Sequence, residues 1–482
     1  SLRRVPFGDF SLFGSASPVA TRVDSFRSVH GDTTVSLSFH GALTDSINRF
    51  LVPDFAVDLE GTRWSLDHPM PFTVGEGHFS VDETRLASDQ GAMTFSGLYD
   101  AESVVGGSLI LENFDLALLN PFLRQEHQLA GRMTADVVVG GEPDAPQVNL
   151  TADLYDAPFP MADVEALHVS AAFSQGALDF EQLDLTTNFG RVLGEGTVAN
   201  PGAGPEDFWD GADLDLALTI NNGDWEFLEQ FAIPALDRLD GIFDGTLRVA
   251  GSTDDPVIRG EVISAPFHVH WLHLDELTGS VWADSDGLTL GDLHGRKADL
   301  TLTGRIEVPL ELDLMSEPVT PLDGPFFMQL DIPWDSDLAP LRTATNAFVR
   351  ASGRGGAHLI VSGPLDHPLY QGTLEIKDAG FVLRNLEEIY HEVSAEGVFR
   401  GDELRVFNIE GREGLRGQFS GEGTVLFKGL MLETFDINLD LDRFLVASIP
   451  DLRVVVSGDG GRMTGVKVGP DSLLVPKFEG SL

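Results

Sequence analysis

The sequence contains no cysteine. No disulfide can form, and that usage fits a periplasmic or extracellular chain. Basic residues are scarce: 31 Lys and Arg stand against 76 Asp and Glu, a net charge of −45 over 482 residues. A nucleic-acid partner is excluded on that balance, because phosphates would be repelled. Flat adhesion to anionic headgroups is disfavoured for the same reason. No apolar run reaches the roughly 18 residues that a membrane helix needs. There is no signal-peptide pattern, and no Gly-x-Ser-x-Gly, His-Glu-x-x-His or phosphate-loop motif. Helical periodicity is rare. The chain begins at Ser1–Pro6 and stops at Lys477–Leu482 in mid-pattern, which predicts a central piece of a longer protein.

What is present is a repeat. Val139-Gly140-Gly141 is followed by Pro146, Val249-Ala250-Gly251 by Pro256, and Val361-Ser362-Gly363 by Pro368. Phe39-His40-Gly41 and Val456-Ser457-Gly458 keep the strand end and the glycine but lose the proline. A second marker moves in step: Gly97, Gly196, Gly304 and Gly423, two of them inside the identical string Gly-Glu-Gly-Thr-Val. Two markers in step define an internal repeat. The first phrase reads as a strand, a turn at a glycine with positive φ, and a proline that limits pairing at the next strand.

The markers divide the chain into units at 1–120, 121–230, 231–345 and 346–445, with 446–482 starting a fifth. Period-2 alternation recurs in them, the sign of half-buried strands. Val35, Leu37 and Phe39 form one stripe; Leu214, Leu216, Leu218 and Ile220 another; Val308, Leu310, Leu312 and Leu314 a third; Phe435, Ile437, Leu439 and Leu441 a fourth. Short helical segments are expected at Asn120–His127, Asp224–Leu239, Asp337–Phe348 and Asp442–Pro450, with Pro121 at a first helical position and Pro234 ending or kinking the second. Insertions at 200–211 and 316–325 fall at one repeat position. The expected fold is all-β: an elongated repeat array of antiparallel strands curled into a taco-like groove or β-solenoid, with a few short helices. The apolar stripes fit an open groove and a closed core equally.

Individual sites read as structure. His268, His270 and His273 invite a metal, yet the apolar positions around them recur in other units and the histidines do not. Asp284-Ser285-Asp286-Gly287 opens like a calcium loop but lacks the later bidentate Glu and reads as a hairpin turn. Gly353-Arg354-Gly355-Gly356 reads as a turn, since a strand follows it. No metal, cofactor or catalytic residue is assigned.

A short amphipathic segment (Asp224-Trp225-Glu226-Phe227-Leu228), a strand into Val249-x-Gly251, Pro256, Gly260-Glu261-Val262-Ile263, a hairpin and Gly-Glu-Gly-Thr-Val together resemble the repeat region of the TamB-type translocation and assembly module proteins, within the AsmA-like group. The resemblance spans essentially the whole chain and is clearest from Leu129 to Leu441. It implies a periplasmic chain whose parent is anchored in the inner membrane through segments absent here. It also implies an apolar trough for phospholipid acyl chains, a role in outer-membrane biogenesis, and an outer-membrane β-barrel assembly protein as a further partner. On that reading the lining is the four stripes named above, and no enzyme activity is expected. Two alternatives come from other classes. One is a scaffold that templates client strands by augmentation. The other is an adhesin or carbohydrate-active β-solenoid, which would need a cleft of acidic and aromatic residues in one unit; no such concentration stands out along the chain.

Overall fold

Alternation of apolar and acidic residues gives strands with one wet and one dry side, and antiparallel neighbours join them through short turns. The computed structural model follows that rule. It describes residues 9–479 except 31–32, 60, 123–128, 144, 160–161, 204–206, 228–238, 270–271, 313–318, 322–323, 345–347, 365–366, 384–388, 415, 429–430, 450–451 and 467–474. The chain forms two units, Ser1–Thr219 and Ile220–Leu482, with the boundary inside strand Asp213–Asp224.

In the first unit, strands Asp9–Ser17, Ala20–His30, Thr33–Ala42 and Ile47–Leu59 pair in chain order. Ile47–Leu59 then pairs with both Thr62–Leu66 and Met70–Gly75. From His78–Ala87 to Gly190–Ala199 each strand again pairs with the next. The second unit repeats the meander from Leu239–Ser252 to Val475–Glu479, stepping from Leu300–Val308 directly to Phe326–Asp337.

Both glycine markers have structural jobs. Gly141, Gly251 and Gly363 have φ of 106°, 92° and 99°, and each ends a strand or stands beside its turn. Gly141 pairs with Pro146 and Gly251 with Pro256 across their hairpins, which puts proline at the start of the next strand, where its missing N–H costs little. Pro368 stands just before Leu369–Leu383. The second marker lies beside a β-bulge in the preceding strand. Gly97 faces Val81, Gly196 faces Phe180, Gly304 faces Leu293 and Gly423 faces Val406, and each of those residues borders a register shift. Two residues there occupy the place of one, so the strand bends and twists more strongly. Asp292 and Asn408, the second residues of two such bulges, take left-handed φ of 46° and 53°.

Inward-facing side chains are sized across strands rather than along them. Phe435 lies opposite Gly465, Ile437 opposite Gly423, and Leu439 opposite Gly421. A methyl on Gly411 would come 2.5 Å from the Phe419 ring, and one on Gly295 would come 2.8 Å from Leu302. Large residues thus recline over glycines of the neighbouring strands.

Several expectations change. The first helical segment is described over Leu116–Phe122, a 3-10 turn that starts before Asn120, while 123–128 lie outside the described residues. Asp115, not Asn120, caps it, with the Ala117 N–H donating to its Oδ1 at 2.9 Å. Asn120 instead bridges to both the N–H and the C=O of Leu129. Asp224 and Asp337 cap in the same way, through the N–H of Glu226 and of Ala339. The helical turn at Trp225–Phe227 is described, whereas 228–238, with Pro234, lies outside the described residues. In the third segment the described helix is Leu341–Ala344, and 345–347 lie outside the described residues. Residues 442–449 belong to strand Met431–Ile449, because the stripe that ends at Leu441 continues past a bulge into further pairing. Gly458 is interior to strand Leu452–Val466 and ends nothing. Gly353–Gly356 is likewise inside a strand, Phe348–Gly363, where a bulge takes up the glycine conformation. The stripe from Val308 breaks at Pro309, which has no N–H for the ladder: Leu300–Val308 stops there, and Leu310–Leu312 pairs separately with Val319–Pro321.

Candidate functional site, an apolar groove

The dry face of the first unit is graded from one side of the sheet to the other. At the side where helical turn Leu116–Phe122 lies, Trp64, Leu86, Leu111, Phe114, Leu116, Leu118 and Ala135 form a closed cluster. Trp64 and Phe114 pack with ring centroids 5.5 Å apart. At the opposite lip, Val74 pairs with Phe79 and Phe79 with Tyr99, yet these three are 37%, 43% and 42% exposed. Beside the lip is a cavity of about 530 Å³ lined by Leu37, Phe39, Phe50, Val52, Phe55, Met70, Phe72 and Val74, with Asn48 as the one polar lining residue. Phe50 stacks on Phe72 at 4.8 Å and meets Phe39 edge-on at 6.3 Å. The size falls within the range of about 300–1,000 Å³ common to small-molecule sites, and the lining can take only apolar matter.

The dry face of the second unit differs. Trp225 packs on Phe243 at 4.3 Å, and its indole N–H donates to the buried Ser264 hydroxyl at 2.9 Å. At the lip, Ala283, Val308, Phe326, Val361 and Tyr370 are 4%, 3%, 1%, 0% and 6% exposed. Leu310, from the hairpin of Leu310–Leu312 and Val319–Pro321, joins that cluster. Burial pushes the Tyr370 hydroxyl up to about 12. On the same face Leu288, which pairs with Ala283 and Val308, and Leu290, Ile306, Met328, Leu330 and Leu359 are half-buried.

The predicted lining residues fall as follows. Val35, Leu37 and Phe39 are half-buried, and the last two line the cavity. Leu214 is buried, while Leu216, Leu218 and Ile220 are half-buried on the same face of Asp213–Asp224, with Asp213, Asp215, Ala217 and Thr219 exposed between them. Val308 and Leu310 are closed core. Leu312 is in its short strand, and Leu314 lies outside the described residues. Phe435 and Ile437 are half-buried, and Leu439 and Leu441 are buried. The stripes did not include Phe50, Val52, Phe55, Met70, Phe72 or Val74. Their own alternation is visible in Met70-Pro71-Phe72-Thr73-Val74, but the bulge near Pro53 shifts the inward set from Phe50 and Val52 to Phe55 and Val57.

Outward faces carry the charge. Arg85 with Glu112, Arg191 with Asp184, and Arg462 with Asp436 are cross-strand ion pairs. In each, the hydrogen bond from the guanidinium holds the carboxyl below its ordinary range. His268 and His273 face each other with ring centroids 4.5 Å apart, and Asp240 lies 3.2 Å from His268. Burial, then the neighbouring His268, pushes His273 down. His270 lies outside the described residues. Among the described residues no three His, Asp or Glu side chains are grouped to hold a metal. Asp284 and Gly287 pair as the hairpin turn expected of them. No described helix is long and apolar enough to cross a membrane.

The family described as "TamB, N-terminal domain" matches residues 28–263, a span that includes the whole lining of the open cavity. No curated protein matches the chain.

Proposed function

The chain belongs to the TamB family through residues 28–263, and from that premise we propose that its grooves carry phospholipid acyl chains between the inner and outer membranes. The family and the all-antiparallel repeat fold support a general lipid-conduit role in the periplasm. The family consists of structural and transport modules rather than enzymes. The observation that carries the finer reading is the open cavity beside Val74, Phe79 and Tyr99, with its almost wholly apolar lining.

An acyl chain in water exposes many CH₂ groups, each worth about 0.8 kcal/mol on burial. A groove that covers them lowers that barrier without a nucleotide or a catalytic group. The acidic outer faces keep the long sheets soluble and repel anionic surfaces. The test is native mass spectrometry of the chain purified from a bacterial host, with extraction and identification of lipid. Bound phospholipid is expected, and Leu37→Asp with Leu216→Asp should remove it while circular dichroism stays unchanged. A folded wild-type chain free of lipid would overturn the reading. Photo-crosslinks from Phe72 to polypeptide instead of lipid would favour the scaffold that templates strands of outer-membrane β-barrel proteins.

A further inference from the structure

One pocket of the second unit is on the wet side of the sheet and has no place in the conduit. It has a volume of about 730 Å³ and is lined from four consecutive strands: Glu276–Asp284, Gly287–Lys297, Leu300–Val308 and Phe326–Asp337. Its floor is low because Ser280 pairs with Gly291, which has no side chain, beside the Gly291-Asp292 bulge. One wall is Trp282, 42% exposed. The ring is fixed at two points. Its Nε1–H donates to Asp284 at 2.8 Å, and the Arg259 guanidinium lies 3.8 Å over the ring from the strand on the far side of Trp282 from the pocket. Facing it stand Arg305, Gln329 and Asp331, polar groups with planar, forked hydrogen-bonding ends.

Asp331 is fixed too. Gln329 Nε2 donates to one of its oxygens at 2.8 Å, and His358 Nδ1 reaches the other at 2.5 Å. Burial opposes its charge, but these two hydrogen bonds outweigh burial and hold the carboxyl below the ordinary range. It is therefore a fixed acceptor, unsuited to giving up a proton as a general acid.

We propose that this pocket binds a neutral saccharide. The Trp282 ring presents a negative π face to which the weakly positive C–H faces of a sugar ring are attracted. Hydroxyl groups, each both donor and acceptor, suit a wall that mixes acceptor carboxylates with amide and guanidinium donors. Two acids, Asp292 and Asp331, stand in the lining with Arg305 and His294. The chain around them carries −45, so an anionic glycan is opposed. The sequence hides the site because its residues are spread over positions 280–331 and meet only through register.

The test is calorimetric titration of the intact chain with chitotriose and maltotriose, and with a heparin trisaccharide as the anionic comparison. Saturable binding of at least one neutral sugar is expected, with none for heparin. Trp282→Ala should weaken it about tenfold or more, and Trp282→Phe should restore part of the loss. Gln329→Ala supplies a second variant if the tryptophan change disturbs folding. Absence of binding to both neutral sugars, tighter binding to heparin, or unchanged affinity in folded Trp282→Ala would each overturn the proposal.

Discussion

The lips of the two units are built from the same kind of strand ends and meet water differently. In the first unit Val74, Phe79 and Tyr99 are left in solvent. In the second, Ala283, Val308, Phe326, Val361 and Tyr370 are covered, and the cluster takes in Leu310 from an inserted hairpin. A dry face that can be closed by one short hairpin is not intrinsically a core or a groove. What covers its edge decides, and in the first unit none of the described residues covers Phe79 or Tyr99.

The difference should be largest when aromatic residues are truncated at the two lips. Phe326→Ala should cost about 3–5 kcal/mol, since the ring is 1% exposed and leaves a cavity. Phe79→Ala, from 43% exposure, should stay within about 0.5 kcal/mol. Urea unfolding of both variants checks the pair, and equal costs would erase the distinction. Leu310→Ala should follow at about 2–4 kcal/mol. It should also raise binding of a hydrophobic dye by the second unit, which the wild-type hairpin suppresses.

Inside the open unit, Gly41→Ala should cost about 1–3 kcal/mol, because the new methyl would strike the Phe50 ring. Gly140, with no atom near its missing Cβ, should accept alanine without loss. A smaller effect separates two tryptophans. The indole N–H of Trp64 is buried without a hydrogen-bond partner, whereas that of Trp225 donates to Ser264. Trp225→Phe should therefore cost about 1 kcal/mol more than Trp64→Phe in thermal unfolding. A further effect depends on pH and is confined to the covered lip. With Tyr370 raised from 10.0 to about 12, the folded state keeps a proton that the unfolded state releases. Its contribution is complete below pH 10 and is lost as pH rises towards about 12. Tyr370→Phe should flatten that dependence in alkaline denaturation.

Strand identity was legible where alternation ran unbroken. Asp213 to Ile220 alternates in burial as its sequence alternates. The turn glycines were legible as well, because Gly141 and Gly251 need a φ that other residues avoid. Bulges were not, since an extra residue in a strand leaves composition unchanged while reversing which residues face inward. Leu290 and Leu293 both face the dry side for that reason. The matching of Phe435 to Gly465 was equally hidden, because the two are thirty residues apart and meet only through register. All of the cavity's apolar lining except Leu37 and Phe39 was missed, Phe50, Val52 and Phe55 on the same ground. Leu37 and Phe39 sat in a clean stripe, while Phe50 and Phe55 straddle a shift.

The bulges beside Gly97, Gly196, Gly304 and Gly423 also separate curvature from chemistry. Residues such as Asp292 and Asn408 bend the sheet, yet Asp292 is exposed on the wet side and touches nothing that the groove would carry. Removing one such residue would straighten its strand, and adding one elsewhere would bend it. The lining would keep its composition in both cases. The curvature of such a conduit can therefore drift, one inserted or deleted residue at a time, without any change in the side chains that meet its cargo.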